Sequence, residues 1–195
     1  MKTLSTLLLA VTLLAACKKS ESPQPASPTP QPVMQYLNLQ DATVGFGQLK
    51  KIDINSDGTD DFLASTLLVG DPILRRDRRM YFISSAVNVR MLQDANNQSP
   101  VLNKNEEIKL QHTGYGWFEV TSQLLAEKII PETGASFWQG NWRQANHQYL
   151  PVQLQKNGNL YHGWIELSFD MQQEKLILHK AAISTEAGKT IRAGV

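Results

Sequence analysis

The sequence predicts an all-β, mainly antiparallel body, folded as a single β-sandwich or jelly-roll-like domain with one or two short helices. Three observations carry that expectation. Apolar and polar residues alternate along much of the stretch from Val152 to Ile183, and a period of two marks a strand buried on one side. Asn157-Gly158 interrupts the alternation where a tight turn is needed, and Asn-Gly between alternating runs is the strongest short-range hairpin signal. The composition, 42% hydrophobic and 19% charged over 195 residues, is that of an ordinary globular chain, long enough to bury one core without staples.

From the N-terminus, Met1-Lys2-Thr3 precedes an apolar run, Leu4 to Ala16, broken only by Ser5, Thr6 and Thr12. A positive start, a short apolar stretch and small residues at its end are the layout of a secretory signal. Thirteen residues of helix reach ~20 Å at ~1.5 Å each, short of the ~30 Å of bilayer hydrocarbon. The run ends in Leu14-Ala15-Ala16-Cys17, which resembles a bacterial lipobox. The resemblance implies cleavage before Cys17, a diacylglyceryl thioether on its sulfur, and attachment to a membrane of the bacterial cell envelope, the outer membrane being the expected one. Cys17 is the sole cysteine, which excludes an internal disulfide, a cysteine zinc site and an iron–sulfur cluster.

Lys18 to Pro32 holds five prolines in fifteen residues and no large apolar side chain. Such a segment cannot offset the entropy of ordering and favours extended polyproline II. The expected organisation is therefore a signal over 1–16, a lipidated cysteine and Pro/Ser-rich tether over 17–32, and a β-rich domain over 33–195. Over that domain 16 basic residues face 17 acidic ones, so no basic field argues for nucleic acid.

Within the domain, 62–69 reads as a strand and 80–91 as a strand or strand pair. The segments 101–110 and 121–129 are the candidates for short helices. Val152 to Gln155 and Leu160 to Phe169 flank the Asn-Gly turn, and Lys175 to Ile183 follows a polar turn as a third strand. On the middle strand Gly163, Ile165, Leu167 and Phe169 share one face, and His162, Trp164, Glu166 and Ser168 share the other.

One motif carries chemistry. Asp53, Asn55 and Asp57 stand at positions one, three and five of a loop, with Gly58 at six, Thr59 at seven and Asp61 at nine. Calcium takes six to eight oxygens, so a loop that curls round it offers every second side chain, a carbonyl at seven and a glycine at the sharp turn. Ala64 stands where an EF-hand has its glutamate. The motif instead resembles the D-x-N-x-D-G-x-x-D loops of extracellular bacterial β proteins. That resemblance implies a structural calcium ion held by Asp53, Asn55, Asp57, the Thr59 carbonyl and Asp61. The alternative is an Asx-rich turn without metal.

The same loop, extended to Phe62, joins two later segments in a wider likeness. Tyr161-His162-Gly163-Trp164-Ile165-Glu166-Leu167 and the terminal Gly188-Lys189-Thr190-Ile191-Arg192-Ala193-Gly194 resemble uncharacterised exported or surface proteins of Bacteroidota-type bacteria. The likeness runs from about Leu49 to Gly194, leaving out the middle from Asp71 to Trp142, and implies a β fold and an envelope address, with no activity attached.

Other chemistries are weaker. His112, His147, His162 and His179 show no zinc-like spacing. Glu106, Glu107, Glu119, Glu132 and Glu166 are candidate glycosidase carboxylates, with solvated strand faces as the plainer account. Arg75-Arg76-Asp77-Arg78-Arg79 is either an anion grip or a solvated loop. Trp138, Trp142 and Trp164 are candidates for stacking on sugar rings, Trp164 being the best placed for exposure because it lies opposite Ile165 and Leu167. The expected role is non-enzymatic, structural or interacting, with an envelope protein or glycan as partner. A carbohydrate-binding module and an envelope hydrolase are the second and third readings.

Overall fold

The computed structural model describes residues 31–195. The signal, Cys17 and the tether up to residue 30 lie outside the described residues. In chain order the strands are β1 (Met34–Val44), β2 (Leu49–Ile52), β3 (Phe62–Asp71), β4 (Arg76–Ser85), β5 (Val89–Gln93), β6 (Glu107–Ile108) and β7 (Gly116–Glu119). There follow β8 (Ser122–Pro131), β9 (Phe137–Gln139), β10 (Gln148–Lys156), β11 (Asn159–Asp170), β12 (Lys175–Ser184) and β13 (Ile191–Arg192).

They form a six-stranded sheet, β1-β12-β11-β10-β5-β7, and a five-stranded sheet, β2-β3-β4-β8-β9, with β6 and β13 as a separate ribbon. All the recorded pairings are antiparallel. The C-terminal meander forms where the alternation places it. Asn157 and Gly158 take φ of 51° and 76°, the left-handed pair of a type I′ turn, and from there Lys156↔Asn159 zips to Gln148↔Leu167. The next turn is fixed by Asp170, whose Oδ1 accepts from the Gln172 and Gln173 amides at 2.9 Å each.

The main core lies between the sheets. Ile165, Leu167, Leu176, Leu178, Leu150 and Val152 of the larger sheet meet Phe62, Ala64, Tyr81, Ile83 and Leu125 of the smaller. Gly163 is a packing glycine: a Cβ there would come within 2.4 Å of the Ala182 carbonyl oxygen. A second, smaller core lies on the outer face of the six-stranded sheet. Tyr149, Trp164 and Ala182 are covered there by Ile108, Ile191 and Ala193 from the β6–β13 ribbon.

The sandwich is the predicted one; the helices are not. Among the described residues no helix forms. Residues 121–129 fall in β8 and its approach, and the reason is a bulge. The pairing with β4 slips between Tyr81 and Phe82, and Leu125 and Ala126 are both buried, which turns a period of two into spacing that imitates a helix. Residues 101–110 instead cross the outer face, pinned by the Leu102–Tyr149 bridge and by β6. The 80–91 segment resolves into two strands in different sheets, β4 and β5.

Candidate functional site

The acidic loop links β2 to β3. Gly58 has φ +90°, the left-handed region that glycine enters at no steric cost. Asp53 closes the loop on itself: its Oδ1 accepts from the Asp57 amide at 3.1 Å and its Oδ2 from the Gly58 amide at 2.7 Å. The Asn55 side-chain oxygen accepts from the Asp57 amide at 3.0 Å, and Asp57 Oδ1 accepts from the Thr59 amide at 3.0 Å. Asn55 and Thr59 hold the Asp57 carboxyl below the usual carboxylate range.

Asp61 differs from these. It is 5% exposed and accepts from the Ile54 amide at 2.8 Å. Burial, and then the neighbouring charges of Asp53 and Asp57, push its carboxyl up to about 6. Lys51 is spent on Asp60 at 2.6 Å, and among the described residues no ion pair reaches Asp53, Asp57 or Asp61. Asn55, Asp57, Thr59 and Asp61 line a cleft of about 330 Å³ that the β10–β11 turn completes, while Asp53 faces an adjoining one. As arranged, no three His, Cys, Asp or Glu side chains among the described residues meet around one point. The donor set itself is all oxygen and mostly anionic, as a hard cation requires, and the bonded carboxylates keep free lone pairs.

A second cluster was not legible from spacing. Ser168 on β11, His179 on β12 and Asp41 on β1 form a hydrogen-bonded chain, with Ser168 Oγ 2.8 Å from His179 Nε2 and His179 Nδ1 2.6 Å from Asp41 Oδ1. An ionised carboxylate only accepts, so in the neutral ring the proton sits on Nδ1 and Nε2 accepts from the serine. The His147 amide donates to the same Oγ at 2.8 Å, and His147 Nδ1 lies 2.7 Å from Glu166 Oε1. The two imidazoles stack with centroids 4.1 Å apart. Asp41, its neighbour Gln40 and His147 all have positive φ, of 52°, 59° and 51°. These outliers are tied to the network by a bulge that β1 makes between Asn38 and Ala42 against β12. The missed signal was the β11–β12 register, which brings 168 beside 177 and so within reach of 179.

The tryptophans require a correction. Trp164 does lie on the face opposite Ile165, but that face is covered, and the ring is 2% exposed between Tyr149 at 5.2 Å and Tyr36 at 6.3 Å. Trp142 is fully buried, and Trp138 packs against the main core beside Phe169 at 5.1 Å. Alternation assigns a side chain to a face; it does not say whether another segment crosses that face. The arginines are neutralised one by one, Arg75 by Glu132, Arg76 by Asp71, Arg78 by Glu127 and Arg79 by Glu174. The glutamates are likewise held apart: Glu106 by the Asn103 amide, Glu107 by Lys109, Glu119 by Arg90 and Glu166 by His147.

His162 sits fully buried beside the second core, with Trp117 stacked on it at 5.7 Å. Its Nδ1 lies 2.7 Å from the Lys189 carbonyl oxygen, so Nδ1 carries the proton, and Nε2 accepts from Gln153 at 3.2 Å. Burial lowers its pKa despite the pull of that carbonyl, and burial lowers that of His112 as well. Below about pH 6.5 the unfolded chain therefore binds protons that the folded one refuses. The histidine contribution to stability is full at neutral pH and falls as pH drops through 6, whereas Asp61, with its carboxyl pushed up to about 6, works in the opposite direction over the same interval. Urea midpoints at pH 7.5 and 5.5 isolate the histidine part as a difference between proteins: His162→Gln should lose less stability on acidification than the wild type.

No family model, curated protein or solved structure matches the chain.

Proposed function

We propose that this protein is a lipid-tethered module of the bacterial envelope whose β-sandwich is stabilised by calcium and serves a structural or interaction role. The observation that carries the calcium part is Asp61, a buried carboxylate beside Asp53 and Asp57 with no cationic side chain bound to it. A buried carboxylate beside like charges costs stability unless a cation joins them. Asp53, Asn55, Asp57, Asp61 and the Thr59 carbonyl would hold the ion, which supplies charge neutralisation and cross-links the loop. Titrating metal-free protein with calcium in a calorimeter tests this. One saturable site, lost in Asp57→Ala, is expected; a titration without binding heat or thermal shift ends the reading.

The tether part rests on Leu14-Ala15-Ala16-Cys17. Two or more acyl chains hold a protein stably on a bilayer, at ~0.8 kcal/mol per buried CH₂. Cells fed labelled palmitate should incorporate it into this protein, and Cys17→Ser should lose the label and leave the membrane fraction. An unlabelled native protein overturns the anchor.

A second reading, an envelope hydrolase, is favoured by the Ser168–His179–Asp41 chain, whose connectivity is that of an acyl-transfer triad. In that reaction Ser168 Oγ bonds to an ester carbonyl carbon as its proton passes to His179 Nε2. The imidazolium then protonates the departing alcohol, and water repeats the sequence to release the acid. A fluorophosphonate probe separates the readings: phosphonylation at Ser168 that His179→Gln abolishes supports hydrolysis, and an unlabelled Ser168 removes it.

A further inference from the structure

The bulge in β8 turns Leu125 and Ala126 both into the main core. Leu124 and Glu127, which strict alternation would set on opposite faces, therefore stand together on the outer side. Glu127 and Gln139 are direct partners across β8 and β9, so their side chains rise from the same face. Around them lies a cleft of about 290 Å³. The turn after β5 supplies one wall with Asn96, Asn97 and Gln98, and the segment after β9 supplies the other with Gly140 and Asn141.

Both walls are fixed by the protein's own bonds. Asp94 Oδ1 accepts from the Asn96 amide at 2.8 Å and from the Gln98 amide at 2.9 Å, and the Asp94 amide donates to the Gln98 carbonyl at 3.0 Å. The turn is thereby bonded within itself through its backbone, while the carboxamides of Asn96, Asn97 and Gln98 bond to no other described residue. On the far side Gly140 lies so close to β8 that a Cβ would come within 2.6 Å of the Leu125 carbonyl oxygen. Asn141 Nδ2 donates to the Ser99 carbonyl at 2.9 Å, which ties the two walls together and leaves the Asn141 side-chain oxygen free. Glu127 is 7% exposed. Arg78 holds its Oε2 at 2.7 Å, and its Oε1 bonds to no other described residue.

We propose that this cleft binds a neutral saccharide, one sugar ring at a time. The proposal goes beyond the tethered-module reading and needs neither the lipid nor the calcium ion. A carboxamide presents a donor and an acceptor side by side, and every hydroxyl of a sugar ring does the same. Five carboxamides around one small cleft therefore match a ligand whose rim is all hydroxyl. The free Glu127 oxygen adds an ionised acceptor, which makes the stronger kind of hydrogen bond, and Leu124 offers an apolar patch to the C–H face of the ring. The volume is close to the ~300 Å³ at which small-molecule pockets begin. Charge argues against other occupants. No Lys, Arg or His lines the cleft, so an anion finds no partner. The single carboxylate is already neutralised by Arg78, so a cation gains little. An extended peptide needs pockets for alternate side chains, and Leu124 is the one large apolar residue in the lining.

The test is a nuclear magnetic resonance titration of residues 31–195, which form one compact unit with both cores. The nitrogen-labelled protein is titrated with neutral mono- and disaccharides while its side-chain NH₂ signals are followed. Chelator is present throughout, so the acidic loop plays no part and a failure here leaves the calcium and anchor readings standing. At least one sugar should shift the cleft carboxamides saturably, in the millimolar range because the contact is small and polar. Asn96→Ala and Gln139→Ala, both at exposed positions, should each weaken that binding at least fivefold with the rest of the spectrum unchanged. Gln172→Ala, an exposed carboxamide on the β11–β12 turn, should leave it as it is. Three results would overturn the proposal. One is a set of cleft signals that no neutral sugar moves; another is sugar binding indifferent to both cleft variants. The third is a response of the same signals to glucuronate or to a strand-forming peptide alone, which would make the occupant an anion or a polypeptide.

Discussion

Trp164→Ala is expected to destabilise the protein by about 3–5 kcal/mol, the range for truncating a buried large aromatic. For a body of this size that lowers the melting temperature by roughly 6–20 °C. The ring is the centre of the second core, edge-on to both Tyr149 and Tyr36 and 2% exposed. Removing it leaves the β6–β13 ribbon with little to rest on. Trp164→Phe sharpens the test. The indole Nε1 is buried without a hydrogen-bond partner, so the phenyl ring keeps most of the apolar contact and sheds an unsatisfied donor. Its cost should be below about 1.5 kcal/mol. If Trp164 were instead an exposed sugar platform, Ala would leave the melting temperature within about 1 °C and abolish glycan binding. Thermal melts of the two variants distinguish these outcomes.

What the chain discloses about itself follows the range of the interactions. The β10–β11–β12 meander was readable because its determinants are local: Asn157-Gly158 sets the turn, and the alternation through Leu167 and Phe169 sets the buried face. The acidic loop was readable for the same reason, its ligand candidates lying within nine residues. Wherever the decisive contact is distant in sequence, reading by period fails. β8 resembles a helix because a bulge against β4 puts Leu125 and Ala126 both inside. Trp164 resembles an exposed ring because the segment that covers it contributes Ile108 and Ile191, far away on either side. His147 and His179 are 32 positions apart in the sequence, and only the folding of β1, β11 and β12 beside one another joins them to Asp41 and Ser168.

Calcium at 100 times its dissociation constant is expected to add about 2.7 kcal/mol of stability by mass action, or roughly 5–10 °C in melting temperature for this length of chain. Chelator should remove that increment. The argument runs through Asp61. Its carboxylate is fixed by the Ile54 amide in a buried position beside two other acids, so the metal-free fold holds that group against its preference for water and for distance from like charge. A cation at the mouth of the loop would convert the same arrangement from a cost into a binding site, with the candidate ligands brought near one another by the Gly58 turn and Asp53 left to swing in from the adjoining cleft. Asp57→Ala removes a donor whose side chain is exposed and whose main internal bonds are to Asn55 and Thr59. The variant should therefore fold, melt near the chelated wild type, and show no further shift with calcium or chelator. Magnesium should substitute poorly, since it demands near-ideal octahedral geometry at short distances and gives up its waters reluctantly. A wild-type melt indifferent to chelator would leave Asp53, Asn55, Asp57 and Asp61 as a self-bonded turn between two strands, held by amide contacts alone.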